Sequence, residues 1–218
     1  MILAAGRGNR LRPLTDTIPK PLLKVGELSI IEHLLFKLKS HGFNEIVINL
    51  AHLGEKIEDQ LQAGQRYGVD IIYSYEFVTG GLETGGGIVN ALPLLGSDPF
   101  VVVSGDIWTD YNFSTLKTQP LEGLAHLVLV DNPPEHIQGD FNLLGARLTE
   151  GQGRRLSYGN IGVYHPDLFK GHKPGFFRLG PILHKAVAEG QVTGEHFEGT
   201  WVNVGTLENL AALRQRVC

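Results

Sequence analysis

LAAGRGNRLRPLTDTIPKPLL, residues 3–23, joins an apolar run of strand length to a basic loop that contains two glycines. Within residues 1–24 the charged side chains are Arg7, Arg10, Arg12, Lys20, Lys24 and a lone acid, Asp16. In α/β folds, ligands bind where a strand meets such a loop at the carboxyl edge of a parallel sheet. Because Gly6 and Gly8 let backbone N–H groups close on an anion, the stretch predicts an α/β fold with a polyphosphate site.

Two common phosphate-binding motifs do not account for this loop. The P-loop pattern G-x-x-x-x-G-K-[ST] is absent, and the dinucleotide fingerprint G-x-G-x-x-G is broken at Leu11, which disfavours an NAD-dependent oxidoreductase. Pro19 and Pro21 fix the backbone around Lys20, which a merely solvated loop would not require. We therefore expect Lys20 to be a binding residue.

The composition is that of a soluble globular domain. The chain has 218 residues, 42% hydrophobic and 19% charged, which is enough for one substantial core. A net charge of -4 argues against nucleic acid as a partner. The single cysteine, Cys218, excludes a disulfide framework and a cysteine-based zinc site. Without an apolar run of about 18 residues or a signal-peptide pattern, we predict a cytoplasmic protein that is not in a membrane.

Apolar runs of strand length predict a sheet that is buried on both faces. FVVVS and IVINL are nearly continuously apolar, which is typical of parallel strands covered on both sides. The predicted strands are Met1–Ala5, Glu45–Leu50, Asp70–Tyr75, Phe100–Ser104 and Ala125–Val130. The first strand begins abruptly at Met1, so we expect a few further residues at the natural N-terminus.

Helical patterns fill the intervals between these strands. Ser29 and Glu32 have the spacing of a capping box, and Gly42 ends the helix that follows. Further helices are predicted at about Glu55–Gln62, from near Thr84 to near Pro93, near Leu179–Glu189 and near Leu207–Val217. The alternation predicts an α/β fold with a doubly wound, mostly parallel sheet, helices on both faces and right-handed crossovers.

The pattern changes after Asp131 to shorter strand-like pieces. These pieces are NLLGARL, RLSYGNIGVY and GEHFEGTWVNVG. Because the chain has no repeat, linker or low-complexity tract, we predict a single domain over residues 1–218. Its first half, about 1–130, would bind a nucleotide, and its second half, about 131–218, would complete a substrate pocket. The oligomeric state is not fixed by the sequence.

Residues 3–23 resemble a long and specific family signature. LAAGRGNRLRPLTDTIPKPLL is similar to L-A-A-G-x-G-T-R-L-x-P-L-T-x-x-x-P-K-P of the sugar-1-phosphate nucleotidylyltransferases, with Asn9 where that family usually has threonine. The resemblance continues through LETGGGIVNALPLLG, FVVVSGDIWTD and WVNVGT, so it covers most of the chain and implies a Rossmann-like nucleotidyltransferase fold. LETGGG and the short C-terminus look most like the N-acetylmuramate-1-phosphate uridylyltransferases, whereas mannose-1-phosphate guanylyltransferases usually carry something nearer L-G-T-A-G.

The resemblance implies attack of a sugar 1-phosphate on the α-phosphorus of a nucleoside triphosphate, with Mg²⁺ as the cofactor. Its implied catalytic residues are Arg10 at the β- and γ-phosphates, Lys20 at the α-phosphate and sugar phosphate, and Asp106 at the metal. The family's second metal ligand is an aspartate in W-x-D-x-G-T, and here that position is Asn203. An amide oxygen can coordinate Mg²⁺ but supplies no charge, so we expect lower metal affinity. The nucleophile is already an anion, so the task is charge neutralisation and alignment.

The implied nucleotide-binding residues fall in two segments. They are Leu3, Ala4, Ala5, Gly6, Arg7, Gly8 and Lys20 in the first, and Glu83, Thr84, Gly85 and Gly86 in the second. The glycines of LETGGG would let the backbone approach a planar base. Glu83 could accept N3–H of uracil or N1–H of guanine, or only complement a helix dipole, so it does not settle the base.

Sugar-binding candidates come mainly from the second half of the chain. They are Ser104, Asp140, Asn160 and Glu195, each of which also fits ordinary turn chemistry. Arg178 could pair with the lactyl carboxylate of N-acetylmuramate.

The resemblance implies an enzyme that makes UDP-N-acetylmuramate and pyrophosphate from UTP and N-acetyl-α-muramate 1-phosphate, in peptidoglycan recycling. Mannose-1-phosphate guanylyl transfer and glucose-1-phosphate thymidylyl or uridylyl transfer stay open as alternatives in the same class. A non-catalytic nucleotide-sugar sensor is the alternative of another class, and Asn203 is the feature that favours it.

Overall fold

A mixed β-sheet with helices against both faces organises residues 1–77 and 81–217, which are the residues described by the structure, a computed structural model. Cys218 lies outside them. The strands are β1 (Ile2–Leu3), β2 (Lys24–Val25), β3 (Leu28–Ser29), β4 (Glu45–Leu50), β5 (Asp70–Tyr75), β6 (Phe100–Ser104), β7 (Ile107–Thr109), β8 (Ala125–Val130), β9 (Phe141–Leu144), β10 (Arg147–Thr149), β11 (Arg154–Tyr164), β12 (Val192–His196) and β13 (Trp201–Asn203). The helices are α1 (Ile30–Ser40), α2 (Gly54–Leu61), α3 (Glu83–Leu95), α4 (Ser114–Thr118), α5 (Gly180–Ala188) and α6 (Leu207–Val217). None of these helices is long and apolar enough to span a membrane.

The central sheet has the strand order β5-β4-β1-β6-β11-β8-β12-β10-β9. Its first four strands are parallel, whereas β11 pairs antiparallel with both β6 and β8. The sheet is therefore mixed rather than mostly parallel: its first four strands are parallel, and beyond them, within the described residues, only β8 and β12 pair in parallel. In the second half, β9 and β10 are joined by Gly145 and Ala146 alone, and so short a link permits only antiparallel pairing.

Alternate residues of the central strands pack into two separate cores, one on each face of the sheet. Ile46 and Ile48 face a core that includes α1 and α2, whereas Val47 faces a core that includes α3 and α5. Leu127 and Val128 divide in the same way on β8. Each buried aliphatic side chain contributes about 1.5–3 kcal/mol. Burial of both faces explains why these strands are continuously apolar.

Most predicted elements have the expected limits, and the exceptions have local causes. The strands β4, β5, β6 and β8 begin and end at the predicted residues. The first strand stops at Leu3 because the N–H of Ala4 donates to Asn49 Oδ1 at 2.8 Å rather than to a neighbouring strand. The third helix continues past Pro93 to Leu95, since a proline near the end of a helix removes one hydrogen bond without preventing a last turn.

Candidate active site

The basic loop is a chain of tight turns rather than a free segment. Three single 3-10 turns shape it, at Asn9–Leu11, Leu14–Asp16 and Lys20–Leu22. Gly8 has a φ of 64°, and a Cβ there would lie 2.9 Å from Thr15 Cγ2. Its carbonyl accepts a hydrogen bond from Thr15 Oγ1 at 2.9 Å. Gly8 thus shapes the turn and lines neither of the two cavities described below, and its phosphate contact stays a prediction.

A cavity of about 350 Å³ opens at the carboxyl ends of the parallel strands. It brings together ten predicted residues, namely Leu3, Ala4, Ala5, Gly6, Arg7, Lys20, Glu83, Thr84, Ser104 and Asp106. Asn9, Pro21, Asn49, Glu76 and Gly81 also line it. The strand edge and the loop that follows it therefore enclose a common site, as expected for ligand binding in an open α/β sheet.

Two buried polar residues that the sequence reasoning missed form the floor of this first cavity. Asn49 Nδ2 donates to Glu76 Oε1 at 2.7 Å, and the N–H of Leu82 donates to Glu76 Oε2 at 2.6 Å. Burial raises the pKa of Glu76, and these two hydrogen bonds oppose that rise. A Cβ on Gly87 would lie 2.5 Å from Glu76 Oε1. Two sequence features could have indicated this pair: Asn49 interrupts the apolar run INL, and Glu76 places a carboxylate directly after β5.

Lys20 and Asp106 form an ion pair across the first cavity. Lys20 follows Pro19 in the basic loop, and Asp106 follows β6, so the fold joins side chains that are 86 positions apart. Their side chains are 12% and 23% exposed. Both groups are thus held in place yet still reach solvent, which suits residues that exchange partners when an anion binds.

A second cavity, of about 500 Å³, adjoins the first, because Glu83 and Thr84 line both. The predicted residues Arg10, Asp140, Asn160, Arg178 and Asn203 also line the second cavity. Glu83 has a φ of 60°, a conformation that is strained for a residue with a side chain. Such strain often marks a functional position, and here it falls at the junction of the two cavities.

Asn160 reaches the second cavity through a β-bulge. The register between β11 and β8 shifts between Tyr158 and Ile161, and Asn160 has a φ of 54°. The bulge is fixed at Gly159, whose carbonyl accepts from Trp201 Nε1 at 2.9 Å. Bulges re-aim side chains next to active sites, and asparagine tolerates the left-handed region better than most residues.

Asp140 lines the same cavity, and each oxygen of its carboxylate already has one hydrogen-bond partner within the protein. Oδ2 accepts from the N–H of Tyr158 at 2.8 Å, and Oδ1 lies 3.0 Å from His136 Nε2. A carboxylate has about four acceptor positions, so a sugar hydroxyl can still donate to it.

Two of the predicted sugar-binding residues lie away from this cavity. Glu195 lines neither cavity; its carboxylate accepts a hydrogen bond from the Tyr111 hydroxyl instead. Burial, together with this bond, raises the pKa of Tyr111. Ser104 lines the first cavity, apart from Asp140 and Asn160. The structure thus brings Asp140 and Asn160 together but not Ser104 and Glu195, and the sugar contacts of all four stay predictions.

Comparison with known proteins agrees with this geometry. Residues 1–131 match the family described as nucleotidyl transferase. The chain is 48% identical to N-acetylmuramate alpha-1-phosphate uridylyltransferase of Neisseria meningitidis, over 95% of this chain and 93% of that protein. The chain belongs to the nucleotidyl transferase family.

Two further similarities support the membership. The protein of the same name from Caulobacter vibrioides is 32% identical over 100% of this chain and 96% of its own length. The crystal structure of a putative glucose-1-phosphate thymidylyltransferase from Bacillus anthracis, in complex with a sucrose, has a TM-score of 0.84 at 24% identity. It covers 99% of this chain and 93% of that one, and it shows that the fold is shared.

In this nucleotidyl transferase two glycines of LETGGG allow a neighbouring segment to pack closely against the start of α3. A Cβ on Gly86 would lie 1.9 Å from the carbonyl oxygen of Gly175, and one on Gly85 would lie 2.7 Å from the ring of Phe177. Neither glycine lines the first or the second cavity. Gly85 and Gly86 therefore seat the segment 175–178, and their approach to the base stays a prediction.

Asp106 and Asn203 offer the oxygen atoms that a hard divalent cation takes. The N–H of Val204 donates to the carbonyl of Asp106 at 3.0 Å, so the two segments lie side by side. Asn203 Oδ1 is buried, and no hydrogen-bond donor reaches it from the described residues. Within residues 1–77 and 81–217, no three His, Cys, Asp or Glu side chains form a metal site. One carboxylate and one free amide oxygen fit Mg²⁺, which keeps waters and takes phosphate oxygens.

Arg10 presents an uncompensated positive charge to the second cavity. Its guanidinium lies over Gly205, where a Cβ would be 3.1 Å from Arg10 Nη2. In the described part of the chain, no carboxylate comes within 4.0 Å of Arg10, whereas Arg12 is paired with Asp16 at 2.6 Å. Arg10 in the second cavity and Arg7 in the first are therefore the guanidinium groups of this loop that, among the described residues, have no carboxylate partner and are available to an anion.

Proposed function

We propose that this protein transfers the uridylyl group of UTP to N-acetyl-α-muramate 1-phosphate. The products are UDP-N-acetylmuramate and pyrophosphate, in a cytoplasmic step of peptidoglycan recycling. The observation that carries the proposal is that two adjoining cavities meet at Glu83 and Thr84, with Lys20 and Asp106 on one side and Arg10 and Asn203 on the other. The relatives named above for this reaction support the choice of substrates.

The chemistry requires two anions to approach each other. An oxygen of the sugar phosphate attacks the α-phosphorus of UTP, a new P–O bond forms, and the bond to the β-phosphate breaks to release pyrophosphate. No general base is needed, because the attacking oxygen is already ionised. In this proposal Lys20 neutralises the α-phosphate and the sugar phosphate, and Arg10 neutralises the departing pyrophosphate.

Asp106 and Asn203 would hold Mg²⁺, which when bound supplies further neutralisation of phosphate charge. The ion pair between Lys20 and Asp106 would then rearrange, so that the ammonium group turns toward phosphate. The neutral Asn203 leaves Asp106 as the charged protein ligand.

Uracil fits the polar floor of the first cavity. Its N3–H needs an acceptor, and the carboxylates of Glu76 and Glu83 both line this cavity. Glu76 is the more rigid of the two, because Asn49 and the N–H of Leu82 hold it. In this proposal the parallel strands β5-β4-β1-β6 form the doubly wound, nucleotide-binding half, and the second cavity takes the sugar through Asp140 and Asn160.

A matrix of nucleoside triphosphates against sugar 1-phosphates, scored for pyrophosphate release, tests the proposal. We expect UTP with N-acetylmuramate 1-phosphate to give the highest kcat/KM. A higher value for GTP with mannose 1-phosphate, or for glucose 1-phosphate with UTP or dTTP, would replace the proposed substrates. Binding of UTP without pyrophosphate release from any pair would instead support a sensor.

A further inference from the structure

The segment 175–178 is fixed against the LETGGG turn by backbone hydrogen bonds on both sides of one residue. The N–H of Phe177 donates to the carbonyl of Leu82 at 3.2 Å, and the N–H of Gly86 donates to the carbonyl of Phe177 at 3.1 Å. A Cβ on Gly85 would lie 3.0 Å from the carbonyl carbon of Arg178. This contact is possible only because glycine occupies positions 85 and 86. The turn that the family resemblance associates with the base thus supports a segment of the sugar-binding half.

Arg178 extends from this fixed backbone into the second cavity. The residue before it is held by the two hydrogen bonds, and Leu179 after it is 5% exposed and packs in the core with α5. The side chain of Arg178 is exposed and lines the cavity. In the described ranges no carboxylate lies within 4.0 Å of it. A guanidinium that has no paired carboxylate and extends from a rigid backbone into a cavity is suited to bind an anion.

The other cationic groups of the second cavity are already engaged or lie elsewhere. His184 Nδ1 is 3.0 Å from Glu150 Oε1, and His136 is paired with Asp140. Arg10 lies over Gly205, at the end of the cavity that holds Asn203. Because the carboxylates of Glu83, Glu135 and Asp140 also line the cavity, an acidic sugar would be repelled unless a separate cation faced its acid group.

We propose that Arg178 binds the carboxylate of an acidic sugar 1-phosphate and selects it over the neutral sugar. This inference rests on the proposed function and adds the residue that distinguishes its acceptor. The phosphate of such a substrate lies toward Lys20 of the first cavity, and the carboxylate, carried on an ether substituent of the ring, meets the guanidinium of Arg178. Gly85 and Gly86 act as positioning residues, since they allow the backbone of Arg178 to lie where it does.

The test compares two acceptors that differ by the acidic substituent, N-acetylmuramate 1-phosphate and N-acetylglucosamine 1-phosphate. Their kcat/KM values with UTP are measured for the parent, Arg178→Ala and Arg178→Lys. Lys185→Ala is the matched control, because it removes a cation from an exposed position of α5 that does not line the cavity. We expect the preference for the acidic acceptor to fall about ten- to hundred-fold in Arg178→Ala, the loss typical of one charged hydrogen bond. Arg178→Lys should retain part of it, and Lys185→Ala all of it.

The possible results separate the two proposals. If the parent does not use N-acetylmuramate 1-phosphate, the proposed function is wrong. If the parent uses it and Arg178→Ala keeps the parent's preference, or loses equal activity with both acceptors, Arg178 does not read the carboxylate. The KM for UTP should stay unchanged in every Arg178 variant.

Gly86→Ala tests the positioning role with a second readout. The added methyl group must displace Gly175, and with it the segment that carries Arg178. We expect a raised KM for the acidic acceptor and a preference shifted toward that of Arg178→Ala. Combining Gly86→Ala with Arg178→Ala should lower the preference little further. A fully additive loss in the double variant would show that the two residues act separately.

Discussion

Asp106 and Asn203 together set the metal requirement that we expect of the proposed reaction. Asp106→Asn leaves two neutral amides, and we expect kcat/KM to fall by a factor on the order of 10²–10³, the size seen when one preorganised electrostatic group is lost. Asn203→Asp should lower the Mg²⁺ concentration for half-maximal rate, because it adds a charge to a hard-cation site. Asn203→Ala should raise that concentration. A Mg²⁺ titration of the rate for the parent and the three variants measures this.

Asp98→Asn is the control for that titration, because Asp98 is exposed and lines neither cavity. It should behave as the parent does. A parent rate that is independent of metal, or unaffected by Asp106→Asn, would contradict the metal site. Activity that appears only in Asn203→Asp would favour the sensor.

Arg10 and Lys20 should each be needed for turnover but not for folding. Both face a cavity, so Arg10→Ala and Lys20→Ala should lower kcat by about 2.7–4 kcal/mol of transition-state stabilisation while the unfolding midpoint changes little. Arg12→Ala is the matched control, since Arg12 lies in the same loop but is paired with Asp16 at the surface. Rates near the parent's at saturating substrates, in either cavity variant, would contradict the phosphate assignment.

At the scale of elements, α1 depends on a buried carboxylate at its first turn. Glu32 Oε2 accepts from the N–H and hydroxyl of Ser29, both at 2.8 Å, and Oε1 accepts from the Tyr67 hydroxyl at 2.9 Å. Glu32→Ala removes the capping box and leaves Tyr67 without its acceptor, so we expect a loss of about 2–4 kcal/mol in the free energy of unfolding. Urea unfolding at pH 7 measures it, with the exposed Glu27→Ala as a control within about 0.5 kcal/mol of the parent.

The loss in free energy of unfolding caused by Glu32→Ala should depend on pH in a definite direction. Burial alone would raise the pKa of Glu32, but the hydrogen bonds from Ser29, Tyr67 and Gln60 outweigh it and lower the pKa. A lowered pKa in the folded state gives a contribution that is present above the ordinary value of 4.5 and is lost as the pH falls through the folded value. The destabilisation by Glu32→Ala should therefore shrink in acid. A difference that grows in acid would contradict the assignment.

Asn160, in the bulge of β11, has two expected roles, one in the backbone conformation and one in sugar binding, and two variants test them separately. Asn160→Gly and Asn160→Ala both lose the amide, so both should raise the KM for the sugar 1-phosphate to a similar degree. Because the position has a positive φ, the alanine variant should be less stable than the glycine variant by about 1–2 kcal/mol. Thermal midpoints and KM values test the two roles separately. Equal stability, or a parent-like KM in both variants, would contradict one role or the other.

Elements whose patterns are local were predictable from the sequence. The limits of β4 and β6 follow from continuous apolar runs, and the start of α1 follows from the Ser29 and Glu32 pair. The position of β11 between β6 and β8 was not predictable from the sequence. Tertiary packing decides which strands are neighbours, and this choice leaves no local pattern in the sequence. The same holds for the site. A long signature located Lys20, whereas Glu76 is an isolated acid whose place in the cavity depends on Asn49, 27 positions away.

At the scale of the whole molecule, the two halves of the chain share one sheet. β11, from the second half, lies between β6 and β8 of the first. A second connection is the small sheet of β7 and β13, in which Val202 is paired with Trp108 and Trp201 with Thr109. The first and second cavities thus lie on a common frame, and neither half has a complete sheet without the other.

This arrangement predicts that the chain unfolds in one step. Trp108 and Trp201, the two tryptophans of the sequence, lie on the paired strands that join the halves, so their fluorescence reports on that junction. Far-UV circular dichroism reports instead on the helices along the whole chain. In urea the two signals should give superimposable curves with one midpoint, as in a two-state transition. Residues 1–131 alone should show no cooperative transition, because without β11 the strands β6 and β8 lose the partner that links them. Two separated midpoints, or cooperative unfolding of residues 1–131, would mean that the halves fold independently.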